Sequence, residues 1–377
     1  MVSLLICGDF VPSHRVSPQI ELGQYDCLEA VKPFLKQVDY SIVNFESPVV
    51  TRAAKPIDKT GPNLCCTEKA MDCVAKIGFS CVTLANNHFR DYGQVGVEDT
   101  LSICKKKGID YVGGGANLDE ARHILYKDIN GKRLAIINVC EKEWSIAGDD
   151  YGGSAPLNPI ADYSSIQDAR HNADYVIIIV HGGIEGYQFP TPRMVDTYRF
   201  FVDVGADAVI NHHQHCFSGY EVYNRKPIFY GTGNFCFDIN QPSNTLWSQG
   251  YMVQLLFEGD AIDFNIIPYS QCAKSPRIDV LNGRERDSVY DRIKHINSLI
   301  ACKEELIKQF ENHVNSIRQG RLLEFEPFDN RIIRGLQIKK ILPSFVSKKT
   351  RKDVFDVINC ESHREVILNI FNNLLLN

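Results

Sequence analysis

The sequence predicts an α/β layered domain followed by a helical appendage, and three observations predict it. Short β-rich runs alternate with amphipathic stretches up to about residue 270, the alternation of a layered α/β domain. Several of those runs end directly in polar clusters. Beyond about residue 284 the chain turns to long, charged, helix-forming stretches. The division expected from this is a domain at residues 1–280 and a helical appendage at 281–377.

In chain order, residues 3–7, 40–44, 80–85, 111–113 and 134–139 read as strands. Residues 27–37, 67–77, 97–107 and 160–172 place apolar side chains at three-to-four spacing and read as the helices between them. Each helix is followed by a strand, as a crossover unit requires. A strand at 175–180, a helix at 192–204 and a strand at 208–210 continue the pattern. Residues 219–223, 227–230, 251–257 and 261–267 then follow one another with tight turns such as Asn224-Arg225. Strands at that spacing are hairpins, so the sheet is expected to turn antiparallel there. Residues 287–319 read as one long charged amphipathic helix or a pair, and 331–377 as basic and then helical. The stretch 339–352, which contains Pro343, reads as a connector or surface contact; a basic run of this kind is ordinarily a solvated face.

A length of 377 residues suits one large domain with an addition. Hydrophobic residues at 44% and charged residues at 23% exclude a disordered or fibrous chain. The formal net charge of −5 gives no reason to expect nucleic acid as a partner. No window approaches the roughly 20 apolar residues of a membrane helix, and no cationic region precedes the first apolar run. The chain is expected to be soluble and cytoplasmic, or held at a membrane through a partner. Its thirteen cysteines are scattered through apolar stretches with no CxxC pair, which predicts reduced, buried thiols and no structural zinc knot.

The clusters at the strand ends are Gly8-Asp9, Asn44-Phe45-Glu46, Asn86-Asn87-His88, His181-Gly182-Gly183 and Asn211-His212-His213-Gln214-His215. In α/β sheets the crevice at the carboxyl ends of strands is where ligands bind. Carboxylate, imidazole and amide oxygen together suit Zn, Mn or Fe. A carboxylate shared by two cations about 3.5–4 Å apart clamps the attacking and leaving oxygens of a displacement, and Glu46 is the candidate for it. Singly, the residues have plainer readings: Asp9 as a helix N-cap, Asn86-Asn87 as turn-formers. His213 and His215, two apart at a strand end, are harder to explain without a shared cleft.

This run of motifs resembles the CapA family of bacterial capsule and poly-γ-glutamate biosynthesis proteins, which is similar in turn to the calcineurin-like metallophosphoesterases. The residues that carry it begin with Gly8-Asp9, Asn44-Phe45-Glu46-Ser47-Pro48, Ala85-Asn86-Asn87-His88, Asp91-Tyr92-Gly93 and Gly113-Gly114-Gly115-Ala116-Asn117. His181-Gly182-Gly183-Ile184-Glu185, Gly205-Ala206-Asp207, His213-Gln214-His215 and Gly231-Thr232-Gly233-Asn234-Phe235 complete it. An ordered set over about residues 3–270 is far more specific than any single motif.

The resemblance implies a layered α-β-β-α sandwich of the metallophosphoesterase type with mixed sheets. It implies two divalent metal ions (Mn, Zn or Fe), with Asp9 and His215 on one, Asn87, His181 and His213 on the other, and Glu46 between them. His88 becomes the general acid or charge stabiliser, so that Asp9, Asn87 and His88 carry the catalysis. Glu185 and Glu221 are expected to orient ligating histidines, and Asn44 and Asn234 to support the site or touch substrate. His212 matches no ligand position and reads as a packing residue. Three positions depart from the pattern: Val11 stands where the phosphoesterases place a histidine, and Gly182 and Gln214 replace the family's tryptophan and proline.

The leading expectation is metal-assisted hydrolysis, in which a hydroxide held by the two cations attacks a phosphate ester or amide. The substrate would be an anionic polymer or a phosphorylated small molecule, and capsule-biosynthesis proteins would be partners. The alternative is a non-catalytic metal- or polymer-binding component of a capsule assembly machine. A nucleotide enzyme would rest on Gly113-Gly114-Gly115, which lacks the spacing of a phosphate-binding loop and reads better as a tight strand-to-helix turn.

Overall fold

Ten consecutive buried residues, Val2–Val11, form the strand around which the fold is assembled. Tyr40–Phe45 pairs with it in parallel and Gln249–Glu258 antiparallel. The computed structural model describes residues 1–239, 246–259, 261–359, 363–364, 366–368 and 370–371. They divide into two compact units, Met1–Lys308 and Gln309–Asn377.

In the first unit, one sheet runs Ile278–Val280, Ala261–Gln271, Gln249–Glu258, Val2–Val11, Tyr40–Phe45, Cys81–Thr83, Asp110–Val112, and Asn234–Phe237 pairs with the end of Val2–Val11. The second runs Tyr220–Tyr223, Lys226–Phe229, Ala208–His212, Tyr175–His181, Lys132–Cys140, Leu125–Ile129. Both mix parallel and antiparallel pairs. Strand parity sets the layers, because successive side chains point to opposite faces. Val2, Leu4 and Ile6 join the core shared with the second sheet. Leu5 and Cys7 pack instead with Met71 and Val74 of the helix Glu68–Ile77 and Val97 of Gly93–Lys107. Ile166 of Pro159–Asn172 and Met194, Tyr198 and Phe201 of Pro192–Asp203 join the core of the second sheet. The result is the α-β-β-α sandwich with mixed sheets that the sequence led us to expect.

Local chemistry delimits the helices as read. Thr67 accepts the Lys69 N–H at 3.2 Å to cap Glu68–Ile77, and Gly78 ends that helix at φ 110°. Residues 27–37 differ: they form a 3₁₀ stretch, Asp26–Val31, and a short helix, Lys32–Leu35. Pro33 has no N–H to continue a single helix through this segment. The two predicted hairpins separate into different sheets, 220–229 at an edge of the second and 249–271 beside Val2–Val11 in the first. Nine of the described cysteines are buried free thiols, as their apolar settings predicted, while Cys65 is exposed and Cys66 and Cys302 are partly exposed. Among the described residues no helix is long and apolar enough to cross a membrane.

The helix pair expected at 287–319 is present as Gly283–Ile300 and Lys303–Leu323. Gly283–Ile300 buries Val289, Ile293, Ile296 and Ile300 in the core of the first unit, which extends past the change of composition to Lys308. The second unit contains Arg331–Ile338 and Lys348–Asn359. Within it, buried Gln337 donates to Glu326 Oε2 at 3.0 Å and to the Pro343 carbonyl at 3.1 Å. The last part of the predicted appendage, 372–377, lies outside the described residues.

Candidate metal centre

A bulge in the central strand aims the first acid. Pairing between Val2–Val11 and Tyr40–Phe45 shifts register between Cys7 and Asp9, leaving Gly8 as the extra residue. Without the shift Asp9 would share the helix-facing side of Cys7; a bulge re-aims the side chain that follows it. Asp9 instead meets Asn44, whose Nδ2 donates to Asp9 Oδ1 at 2.7 Å. Position 8 admits only glycine, since a Cβ there would lie 1.9 Å from the Gly233 carbonyl oxygen.

The second sheet presents the histidines. His181 ends the strand Tyr175–His181, and after His212 the chain turns so that His213 and His215 adopt φ of 88° and 56°. Left-handed backbone at a non-glycine residue costs energy and clusters at functional sites. His181 Nε2 lies 3.0 Å from Asn87 Oδ1, 3.0 Å from His213 Nδ1 and 3.5 Å from Glu46 Oε1. His215 Nδ1 lies 3.4 Å from Asp9 Oδ2, and its Nε2 lies 3.7 Å from Glu46 Oε1. Two buried groups of ligand atoms result, Asp9–Glu46–His215 and Glu46–His181–His213, with Glu46 common to both. The six residues expected to share a site are therefore together.

Electrostatics mark the cluster as short of positive charge. Glu46 is 0% exposed and neither of its oxygens has a hydrogen-bond partner. Burial, and then the neighbouring Asp9, push its carboxyl well above the usual range. Burial and the charge of His213 hold His181 well below its ordinary value, and burial brings His213 down to about 3. Burial opposes the ionisation of Asp9, but the hydrogen bond to His215 and the surrounding histidines hold it below the carboxylate range. His215 resists its own burial because Glu46 and Asp9 lie beside it, and is pushed up to about 9. The donors fit divalent cations: mostly neutral imidazoles, an amide oxygen and a buried carboxylate lacking donors are what a cation would satisfy.

Around this centre, His88 Nδ1 lies 2.6 Å from Asp91 Oδ2 and 3.3 Å from Lys59 Nζ, and Lys59 is ion-paired with Asp91. Asn234 lies with its Oδ1 2.9 Å from His215 Nδ1, while its Nδ2 donates to the His215 carbonyl at 3.0 Å. Trp247 stacks on the His215 ring with centroids 4.7 Å apart. Glu185 acts on Glu46, Glu143 and His215 through charge. Glu221 corrects the expectation placed on it: it accepts from Arg199 of the helix Pro192–Asp203 at 2.9 and 2.7 Å and from the Tyr230 hydroxyl, so its charge is engaged there and not by a ligating histidine. His212 is buried with its Nδ1 2.9 Å from Thr232 Oγ1.

Glu143 is the residue that sequence reasoning missed. Its Oε2 accepts from Asn87 Nδ2 at 3.4 Å, and its Oε1 lies 3.6 Å from His213 Nε2. One carboxylate thus faces the outward nitrogens of two residues of the cluster, as outer partners of metal ligands do. Its only signal in the sequence is an acid shortly after the end of the strand Lys132–Cys140.

Comparison with known proteins places the chain in a family. "Capsule biosynthesis protein CapA" of Bacillus anthracis is 32% identical over 330 residues, covering 84% of this chain and 80% of that protein. "PGA biosynthesis protein CapA" of Bacillus subtilis (strain 168) is 32% identical over 243 residues, 63% of this chain and 64% of that protein. Among solved structures, a phosphatase from Mycoplasma pneumoniae aligns with a TM-score of 0.44 at 14% identity, over 76% of this chain and 96% of that one. Residues 3–239, which contain every member of the two ligand groups, match the bacterial capsule synthesis protein family PGA_cap, and the chain belongs to that family.

Proposed function

We propose that the chain is a metal-dependent hydrolase of phosphoester or amide bonds, acting in the synthesis of capsule, poly-γ-glutamate or another cell-envelope polymer alongside other capsule-synthesis proteins. Its substrate is an anionic polymer or a phosphorylated small molecule. The observation that carries this reading is Glu46, a fully buried carboxylate with no donor, common to two groups of ligand atoms.

Asp9 and His215 would hold one divalent cation (Mn, Zn or Fe), Asn87, His181 and His213 the other, and Glu46 both. Cations bound there supply Lewis acidity and bring the pKa of water to about 7. His88 handles the proton of the leaving group: Asp91 engages its Nδ1, which leaves Nε2 to exchange with a leaving oxygen or nitrogen. Burial keeps the resting His88 below its ordinary value against the pull of Asp91, so it is neutral at rest, takes a proton from water as negative charge gathers beside it, and passes that proton from Nε2 to the leaving atom. The exposed carboxylates of Glu143 and Glu185 repel an anionic substrate from the metal-free site, so substrate binding should require metal.

The test is elemental analysis of the purified protein joined to a screen of phosphomonoesters, phosphodiesters and γ-glutamyl amides. Asn87→Ala and His213→Ala should each remove metal and turnover together; turnover that survives both changes overturns the proposal. A second reading, a non-catalytic metal- or polymer-binding component, is favoured by Val11, a buried apolar residue at the position of the phosphoesterase histidine. Protein that binds the polymer yet contains no metal and turns over no substrate in the screen would favour it.

A further inference from the structure

None of the residues assigned to the metal centre lies in the basic stretch at 331–352. It carries eight lysines and arginines and no acid, in a chain whose formal net charge is −5. Four of these cations, Lys348, Lys349, Arg351 and Lys352, occupy the first five residues of the helix Lys348–Asn359, and all four are exposed. That is the end where the helix dipole is positive and cations destabilise. Lys348 and Arg351, Lys348 and Lys352, and Lys349 and Lys352 also stand at the spacing where like charges repel along a helix. Lys349 pairs with Asp353 at 2.7 Å, which offsets part of the repulsion.

Several apolar residues of the same segment are turned to water. Phe355 is 68% and Ile358 53% exposed, and they share a helix face with Arg351, four and seven residues before them. Ile338, Ile341 and Phe345, which flank Lys339 and Lys340, are exposed as well. A helix that carries its charge at the wrong end and turns Phe355 and Ile358 outward breaks local rules, which points to function.

We propose that residues 331–359 dock on an anionic phospholipid surface, the cations against headgroup phosphates and the exposed Phe and Ile side chains among the acyl chains. The surface potential of anionic lipid relieves the repulsion, and the interface takes up the apolar faces. A polyanion in water would answer the charges alone and leave Ile341, Phe345, Phe355 and Ile358 exposed. The proposal stands apart from the hydrolase reading, since it uses none of the residues of the metal centre.

The experiment is flotation of the full chain with vesicles of phosphatidylcholine alone or with phosphatidylglycerol added, at low and high salt. Binding should be at least about tenfold stronger on the anionic vesicles and should fall steeply with salt, as screened surface attraction does. Lys348→Glu with Arg351→Glu and Lys352→Glu should abolish it. Phe355→Ser with Ile358→Ser should weaken it several-fold, with circular dichroism unchanged. Equal binding to neutral and anionic vesicles, or none to either, overturns the proposal. So does full retention in the Phe355/Ile358 variant beside loss in the charge variant, which would mark the segment as a site for a soluble polyanion.

Discussion

The two halves of the candidate metal centre share Glu46 but are built differently. The half formed with His181 and His213 also has the amide of Asn87, and a carboxylate, Glu143, faces the outward nitrogens of two of its members. The half formed with Asp9 and His215 has the neutral amide of Asn234 beside its histidine and the apolar Val11 near its acid. A carboxylate standing behind ligands raises their basicity, which a neutral amide does less. The first half is therefore the better organised, and it should fill first and empty last as metal is titrated.

The largest effect should come from the residue the halves share. Glu46→Gln should lose both ions by elemental analysis and with them all turnover. Without metal the order of stability reverses: the variant, freed of a buried carboxyl that has no hydrogen-bond partner, should unfold later than the metal-free parent by about 1–3 kcal/mol. Thermal unfolding with and without chelator reads both arms. Equal stability of the two metal-free proteins would show that Glu46 is satisfied in some other way.

Next come the supports of each half. Glu143→Ala should weaken the first-filled ion, costing the His181–His213 half about 100-fold in affinity by calorimetry. Asn234→Ala should cost the Asp9–His215 half nearer about 10-fold, the two ends of the range for outer partners of metal ligands. If the losses are equal, or if Glu143→Ala affects the other half, the asymmetry described above is wrong.

The smallest effect is on pH. In metal-free protein His215 is raised to about 9, so it stabilises the fold fully below its unfolded value near 6.5, and that contribution fades as pH rises from about 6.5 through 9. His213, lowered to about 3, works in the other direction: the folded state binds fewer protons, and stability falls as pH drops below about 6.5 towards 3. Chelator-treated protein should thus unfold latest near neutrality. Metal should flatten the alkaline side, where His215 would be held as a neutral ligand.

Particular residues show what could be read from the chain. The strands that lead to Asp9, Glu46, His181 and His215 were legible because apolar runs followed by polar clusters are local patterns, and the motifs came in family order. The bulge at Gly8 was not, because it exists only as a register between two strands. Glu143 belongs to no motif, and its partners are 56 and 70 residues away in the chain. Glu221 lies near the histidines in sequence, yet Arg199 from the preceding helix claims it. The helix Gly283–Ile300 looked like part of an appendage by composition, but four isoleucine and valine side chains seat it in the core of the first unit.

The sequence by itself therefore determined the alternation of elements, the chemical types at the strand ends and the charge asymmetry of the last segment, all of which follow from periodicity and composition over a few residues. Only the tertiary structure decided which sheet each hairpin joined, which way Asp9 points and which acids stand behind the ligands. Those depend on packing between residues tens to hundreds of positions apart, where one shift of register turns every side chain to the other face.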